Sequence, residues 1–167
     1  DSANAYNAIR DAGAKPFGMF ALNAMRVEKG YRSWKGDLSS DYTLFEGGLG
    51  RFARLNKPQD FPGKTALLNE QQQGSKKGFA TMTLDNPGPA DAPYMSPIWS
   101  IGAVVGDTPS GHWGLRVNKS VAFGVVRSDA HMVCAKVDTD IYGTKYSPTN
   151  PSDYPPCAPA TARIRAC

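Results

Sequence analysis

Near Gly74 the apolar residues stop recurring at about 3.6-residue spacing and begin to alternate, and that switch constrains the fold more than any other feature. Upstream, Ala5, Ala8, Ile9 and Ala12 share one helical face with Gly13 as a stop. Residues 17–28 make a second apolar-rich run ending at Gly30. Residues 64–73 make a third, opened by the turn Asp60-Phe-Pro-Gly63 and closed by Gly74. Between them, residues 31–56 lose periodicity and Gly47-Gly48 mark a turn. Downstream, residues 78–84, 98–105, 115–126 and 132–137 read as strands, separated by turns at Asn86-Pro-Gly-Pro89 and Pro109-Ser-Gly111. Short strands so spaced predict a small β-barrel or sandwich, and the class expected is α+β. From residue 147 on, Pro148, Pro151, Pro155, Pro156 and Pro159 are too many for regular structure and predict a tail that is extended or wraps the barrel.

At 167 residues, 41% hydrophobic and 20% charged, the chain can bury one ordinary core or two small packed units, and it is not of disordered composition. No window reaches the roughly 18 apolar residues of a membrane span, and the start lacks the basic-then-apolar layout of a signal peptide. A membrane partner is not expected, and the location expected is cytoplasmic. Three cysteines, Cys134, Cys157 and Cys167, are an odd number without close spacing, which fits a reduced compartment; a Cys157–Cys167 bridge is the alternative. The net charge of +4 is spread, with Lys76-Lys77 and Arg163/Arg165 its densest spots, and lacks the basic face with stacking aromatics that nucleic-acid binders present.

Several motifs occur in a fixed order: Met25-Arg-Val-Glu-Lys-Gly-Tyr31, Asp37-Leu38, Thr43-Leu-Phe-Glu-Gly-Gly-Leu49, Asp60-Phe-Pro-Gly-Lys-Thr-Ala-Leu67, Val105-Gly-Asp-Thr-Pro-Ser-Gly111 and Lys119-Ser-Val-Ala-Phe-Gly124. Together they resemble the folate-binding aminomethyltransferase family over roughly residues 1–146. The extension to Tyr31-Arg-Ser-Trp34 is more similar to its dimethylglycine and sarcosine dehydrogenase branch than to the free glycine-cleavage T-protein. The resemblance implies the C-terminal part of a ferredoxin-like split α/β unit (1–74), a small antiparallel β-barrel (75–146) and a Pro-rich tail (147–167).

It also implies tetrahydrofolate as cofactor, which the mild positive charge suits, with FAD only in a separate domain. The N-terminal remainder of the enzyme is an expected partner, oligomerisation is left open, and in a eukaryote the location would be the mitochondrial matrix. The family's catalytic aspartate comes from its N-terminal half, so the chain alone is expected to be inactive. No dinucleotide fingerprint occurs.

Arg26 is the leading site candidate, because the family's arginine of this Arg-x-Glu helix contacts folate and a guanidinium fork suits a heterocycle or carboxylate. A structural salt bridge is its bland alternative. Glu28 is a secondary pterin candidate; structurally it would pair with Arg32 or the strand unit. Arg26 and Glu28, two apart on a helix, point in different directions and cannot serve one neighbour. Asp140-Ile-Tyr-Gly-Thr-Lys-Tyr146 resembles the family's barrel-closing segment and places Tyr142 and Tyr146 at folate contacts. Tyr31, Trp34, Tyr42 and Phe45 are expected to cluster as core or pocket lining. His131 and Cys134 lack the further ligands a metal needs. Ser110 is expected in a hairpin turn rather than as a nucleophile.

The resemblance thus implies the folate-binding end of a dimethylglycine or sarcosine dehydrogenase-like enzyme, passing a methylene group from an N-methylated amine to tetrahydrofolate. A free glycine-cleavage aminomethyltransferase and a non-catalytic folate-fold binding or assembly protein are the alternatives.

Overall fold

The computed structural model describes residues 1–84, 90–130 and 137–146, with residues 145 and 146 described by backbone alone. The expected His131, Cys134, Asn86–Pro89 turn, Cys157–Cys167 bridge and Pro-rich tail lie outside the described residues. Three helices come first: α1 (Ser2–Asp11), α2 (Met19–Lys29) and α3 (Lys64–Gln73), with a 3-10 turn at Gly50–Phe52. Six strands follow: β1 (Lys77–Leu84), β2 (Ser96–Ser100), β3 (Ala103–Gly114), β4 (Lys119–Arg127), β5 (Asp138–Ile141) and β6 (Thr144–Tyr146). They form one sheet in the order β1-β4-β3-β2-β5-β6, with every neighbouring pair antiparallel. The expected mixture of helices with an antiparallel sheet is what the chain forms, and among the described residues no pairing closes β1 onto β6.

Two strand expectations are corrected. The run 98–105 is two strands, because Ile101 and Gly102 take positive φ (48° and 77°) and reverse the chain between β2 and β3. Pro109-Ser-Gly111 is no turn: it lies inside β3, where the register against β4 shifts between Asp107 and Ser110, as a β-bulge does. The β3–β4 reversal comes later, with Asn118 at φ 53°.

Each face of the sheet has its own core. On one, Met82, Leu84, Ala92, Ile98, Val105, Ala122, Val126, Val137 and Ile141 pack together. On the other, Phe79, Val121, Phe123 and Val125 receive Val27 from α2, with the Phe79 and Phe123 rings 5.1 Å apart and tilted by 56°. Phe123 is fully buried, so truncating it to Ala would cost about 3–5 kcal/mol.

The entry from α2 into the site is set by Gly30. It sits at φ 78°, donates its N–H to the Val27 carbonyl (3.0 Å), and lets Tyr31 donate to the Arg26 carbonyl (2.7 Å). That pair is the Schellman arrangement, and only glycine adopts the left-handed conformation there without strain. By contrast, α1 buries no residue, and Phe17, Met19, Phe20, Leu22 and Met25 on or beside α2 are exposed, as are Tyr6 and Ile9. None of the described helices is long and apolar enough to cross a membrane.

A candidate site around Arg26 and Asp37

After the Gly30 reversal, residues 33–38 wind into a tight loop. Asp37 and Leu38 both donate backbone N–H groups to the Ser33 carbonyl (3.1 Å), and Lys35 donates to Leu38 (2.6 Å) with φ at 68°. This loop carries the carboxylate of Asp37 beneath α2, where it is fully buried. Arg26 Nη1 donates to Asp37 Oδ2 at 2.5 Å, and the Ser33 backbone N–H reaches the same oxygen at 2.6 Å. The other oxygen, Oδ1, accepts the Ser110 hydroxyl at 2.5 Å, and Ser110 Oγ in turn accepts Arg26 Nη2 at 2.9 Å. Arg26 further donates from Nε to Asn23 Oδ1 (2.8 Å) and from Nη1 to the Tyr31 carbonyl (3.3 Å). Four of its five N–H groups are thereby directed at protein acceptors, which leaves one on Nη2.

The network ties the helix end, the loop and β3 together and satisfies a carboxylate that would otherwise be costly to bury. Ser110 is therefore part of a buried polar cluster, which corrects its expected place in a hairpin turn. Asp37, quoted only within a motif, and Ser110, read only as a turn residue, stand 73 positions apart and were not expected to meet at Arg26. The available signal was an acidic residue between a helix and a glycine-rich turn, in a loop of otherwise half-exposed character.

Glu28 points elsewhere, as expected from its position two residues on. Its Oε1 accepts the backbone N–H groups of Arg116 (2.9 Å) and Val117 (3.2 Å), pinning the β3–β4 turn to α2. Of its two structural alternatives the strand unit is realised; Arg32 instead lies over the Phe79 ring, Cζ 4.0 Å from the centroid. Tyr142, at φ 51° in the β5–β6 turn, is 81% exposed and shares no hydrogen bond or ring contact with Arg26 or Glu28 among the described residues. Tyr146 pairs with Thr139 in the β5–β6 ladder. The expected aromatic cluster is not formed: Tyr31 and Trp34 are exposed, whereas Tyr42 packs on the Phe79–Phe123 core with Lys77 Nζ 5.1 Å from its ring.

Burial shifts several groups nearby. It depresses the pKa of His112, with Arg26 acting in the same direction and Asp91 and Asp37 opposing, so the imidazole is held toward its neutral form. It raises the carboxyl of Asp107 against the opposing charge of Lys77. It lowers Arg32, aided by Arg51 and opposed by Asp37. Among the described residues no three His, Cys, Asp or Glu side chains are grouped to hold a metal. Two surface depressions, of about 520 and 390 Å³, lie at Asp60–Thr65 and beside Ala53, Leu55 and Leu68; neither is lined by Arg26, Glu28 or Tyr142. Arg26 thus keeps one uncommitted N–H, Glu28 one uncommitted carboxylate oxygen and Tyr142 an exposed phenol, and no contact among the described residues brings the three together.

Residues 1–57 match the family described as GCVT N-terminal domain. Over 153 residues the chain is 36% identical to rat mitochondrial dimethylglycine dehydrogenase, covering 89% of this chain and 18% of that protein. It is 31% identical over 125 residues to human mitochondrial sarcosine dehydrogenase, covering 72% and 13% respectively. Among solved structures, aminomethyltransferase T of the glycine cleavage system from Bartonella henselae superposes with a TM-score of 0.76 at 21% identity, covering 89% of this chain and 42% of that one. The chain thus spans less than a fifth of the dehydrogenases it matches. The structural likeness shows the fold, and the ordered motifs from Arg26 to Gly124 with the family match and the sequence identities show that the chain belongs to the GCVT aminomethyltransferase family.

Proposed function

We propose that this chain is the folate-side C-terminal portion of a dimethylglycine or sarcosine dehydrogenase-like enzyme. The observation that carries the reading is the 36% identity to a dimethylglycine dehydrogenase across 89% of the chain; the Glu28-Lys-Gly-Tyr-Arg-Ser-Trp34 segment, by its resemblance to that branch, agrees with it. Tetrahydrofolate bound here would accept a one-carbon unit from an N-methylated amine oxidised on a flavin in a separate domain.

The donor set suits such a ligand. Arg26 retains one Nη2 N–H, and Glu28 retains Oε2, able to accept from a pterin ring nitrogen. In this reading Arg26 and Glu28, which point in different directions, meet separate parts of the folate from α2, while Tyr142 and Tyr146 approach from the β5–β6 hairpin. Residues 1–74 belong to a ferredoxin-like α/β unit, residues 75–146 form the barrel, and the Pro-rich tail follows. The N-terminal remainder covers the exposed apolar side chains of α1 and α2 and supplies the catalytic aspartate, so the chain alone does not turn over. A matrix location accords with the mitochondrial relatives.

A free glycine-cleavage aminomethyltransferase is the second reading, favoured by the TM-score of 0.76 to such a protein. The complete polypeptide separates the two. Folate-dependent capture of the carbon released from dimethylglycine or sarcosine is expected; activity only with an aminomethyl group on a lipoyl carrier would select the second.

A further inference from the structure

The Arg26–Asp37 pair does not take the form that a guanidinium and a carboxylate favour when nothing intervenes. A planar fork meeting a carboxylate closes two parallel N–H···O bonds, one from each of two nitrogens. Here only one leg is made, from Nη1 to Asp37 Oδ2 at 2.5 Å. The other is interrupted by a hydroxyl. Ser110 Oγ donates to Asp37 Oδ1 at 2.5 Å and accepts Arg26 Nη2 at 2.9 Å, so it stands between the two atoms that would otherwise bond.

The strand puts that hydroxyl in place. Ser110 follows the register shift of β3 and pairs with Phe123, whose ring belongs to the core that receives Val27 of α2. Gly111, next along, packs bare against the Ala92 backbone, where a Cβ would clash, which seats β3 from the other face of the sheet. Ser110 is 7% exposed and Asp37 not at all, so little room is left for a water in the hydroxyl's stead. With Nε held by Asn23 Oδ1 and Nη1 by Asp37, the Nη2 N–H that Ser110 does not take keeps a fixed direction, on a side chain 15% exposed.

We propose that Ser110 is a positioning residue: its hydroxyl keeps the Arg26 fork from closing on Asp37 and so aims the uncommitted Nη2 N–H at an acceptor atom of the bound ligand. The proposal rests on the folate reading, which supplies that ligand, and adds a residue that does not touch it. Without the hydroxyl, Nη2 turns to Oδ1, the ion pair gains its second leg, and the N–H left over is re-aimed. The fold then keeps its clamp while the ligand loses its donor. A residue that only held the fold together would lower stability and binding in step.

Titration with tetrahydrofolate and thermal unfolding of the complete polypeptide test this on the same variants. Ser110→Ala is expected to weaken tetrahydrofolate binding roughly tenfold, as for one misdirected charge-assisted contact. Its unfolding midpoint should stay within about 2 °C of wild type. Ser110→Thr restores the hydroxyl and should bring affinity back to within about threefold. Ser110→Cys, close to serine in shape but a weak acceptor, should behave as Ser110→Ala and keeps the test decisive if the alanine variant does not fold. In Arg26→Lys, which has no fork to aim, adding Ser110→Ala should change affinity by less than about twofold. Wild-type affinity in Ser110→Ala and Ser110→Cys would overturn the proposal and leave the folate reading standing. So would a loss that persists in the Arg26→Lys background, or one matched by a larger fall in the midpoint, since either makes Ser110 merely structural. A wild type that binds no tetrahydrofolate removes the folate reading and the proposal with it.

Discussion

Replacing Arg26 with Met would test whether the Arg26–Asp37 pair holds the molecule together. The substitution keeps an apolar chain of similar length along α2 but strands the Asp37 carboxylate, which is 0% exposed, with only the Ser33 N–H and the Ser110 hydroxyl. Breaking a buried pair from one side costs about 3–5 kcal/mol, because the remaining charge has no counterion. The Arg26 side chain is itself 15% exposed, so the lower end, about 3 kcal/mol, is expected. In a chain of this size that corresponds to a fall in Tm of roughly 6–12 °C. Removing both charges in Arg26→Met/Asp37→Leu should recover part of the loss, short of full recovery because Ser33 and Ser110 forfeit an acceptor at about 1 kcal/mol each. Urea unfolding of the wild type, both single variants and the double variant gives the coupling directly. A coupling of about 1.5 kcal/mol or more is expected. A single-variant loss below about 0.5 kcal/mol, within the range of ordinary surface changes, would refute the reasoning and free Arg26 to serve a ligand alone.

Gly30→Ala forces a side chain into φ 78° at the α2 cap and should cost about 1 kcal/mol in thermal unfolding; no change would mean the cap relaxes. His112, held below its usual 6.5 by burial, carries fewer protons folded than unfolded. Its contribution to stability is therefore full above pH 6.5 and declines as pH falls through that value toward the folded pKa. Unfolding midpoints of wild type and His112→Gln between pH 5 and 8 should diverge in slope on the acid side, and parallel curves would exclude the effect. Phe20, 85% exposed on α2, should accept Glu with a stability change within about 0.5 kcal/mol while reducing binding of an apolar dye, whereas unchanged dye binding would place the sticky surface elsewhere.

Local grammar was legible wherever one residue decides a conformation. Gly30 and Gly74 end α2 and α3 where the sequence places those stops, and residues 64–73 are helical at the expected bounds. The strand boundaries were harder, because Ile101 is as good a strand residue as its neighbours, and nothing in alternation marks it as the first half of a reversal at φ 48°. Pro109 misled in the other direction: a proline next to Ser-Gly reads as a turn, yet a bulge accommodates its missing N–H inside β3. The Asp37–Ser110 bond was beyond reach, since it joins residues 73 positions apart through a register that the sheet sets only after it forms. A strand-unit partner for Glu28 and a structural salt bridge for Arg26 were among the expected alternatives and are formed, but the particular residues that complete them, Arg116, Val117 and Asp37, were not legible for the same reason.

Those partners change what a substitution at the site can reveal. Arg26 closes the α2 end onto the loop and β3, and Glu28 fastens the β3–β4 turn to the same helix. Side chains that would orient a ligand are therefore the ones that fix the helix against the sheet, so truncating either moves the scaffold together with the contact. A loss of folate affinity in Arg26→Ala would report fold damage and lost contact at once. Arg26→Lys is more informative: it keeps a cation for Asp37 but cannot reach Asn23, Ser110 and a ligand in one planar fork. Retained stability with weakened folate binding in that variant would assign the remaining Nη2 N–H to the ligand. Equal loss of both would leave Arg26 as the buried clamp its four internal hydrogen bonds describe.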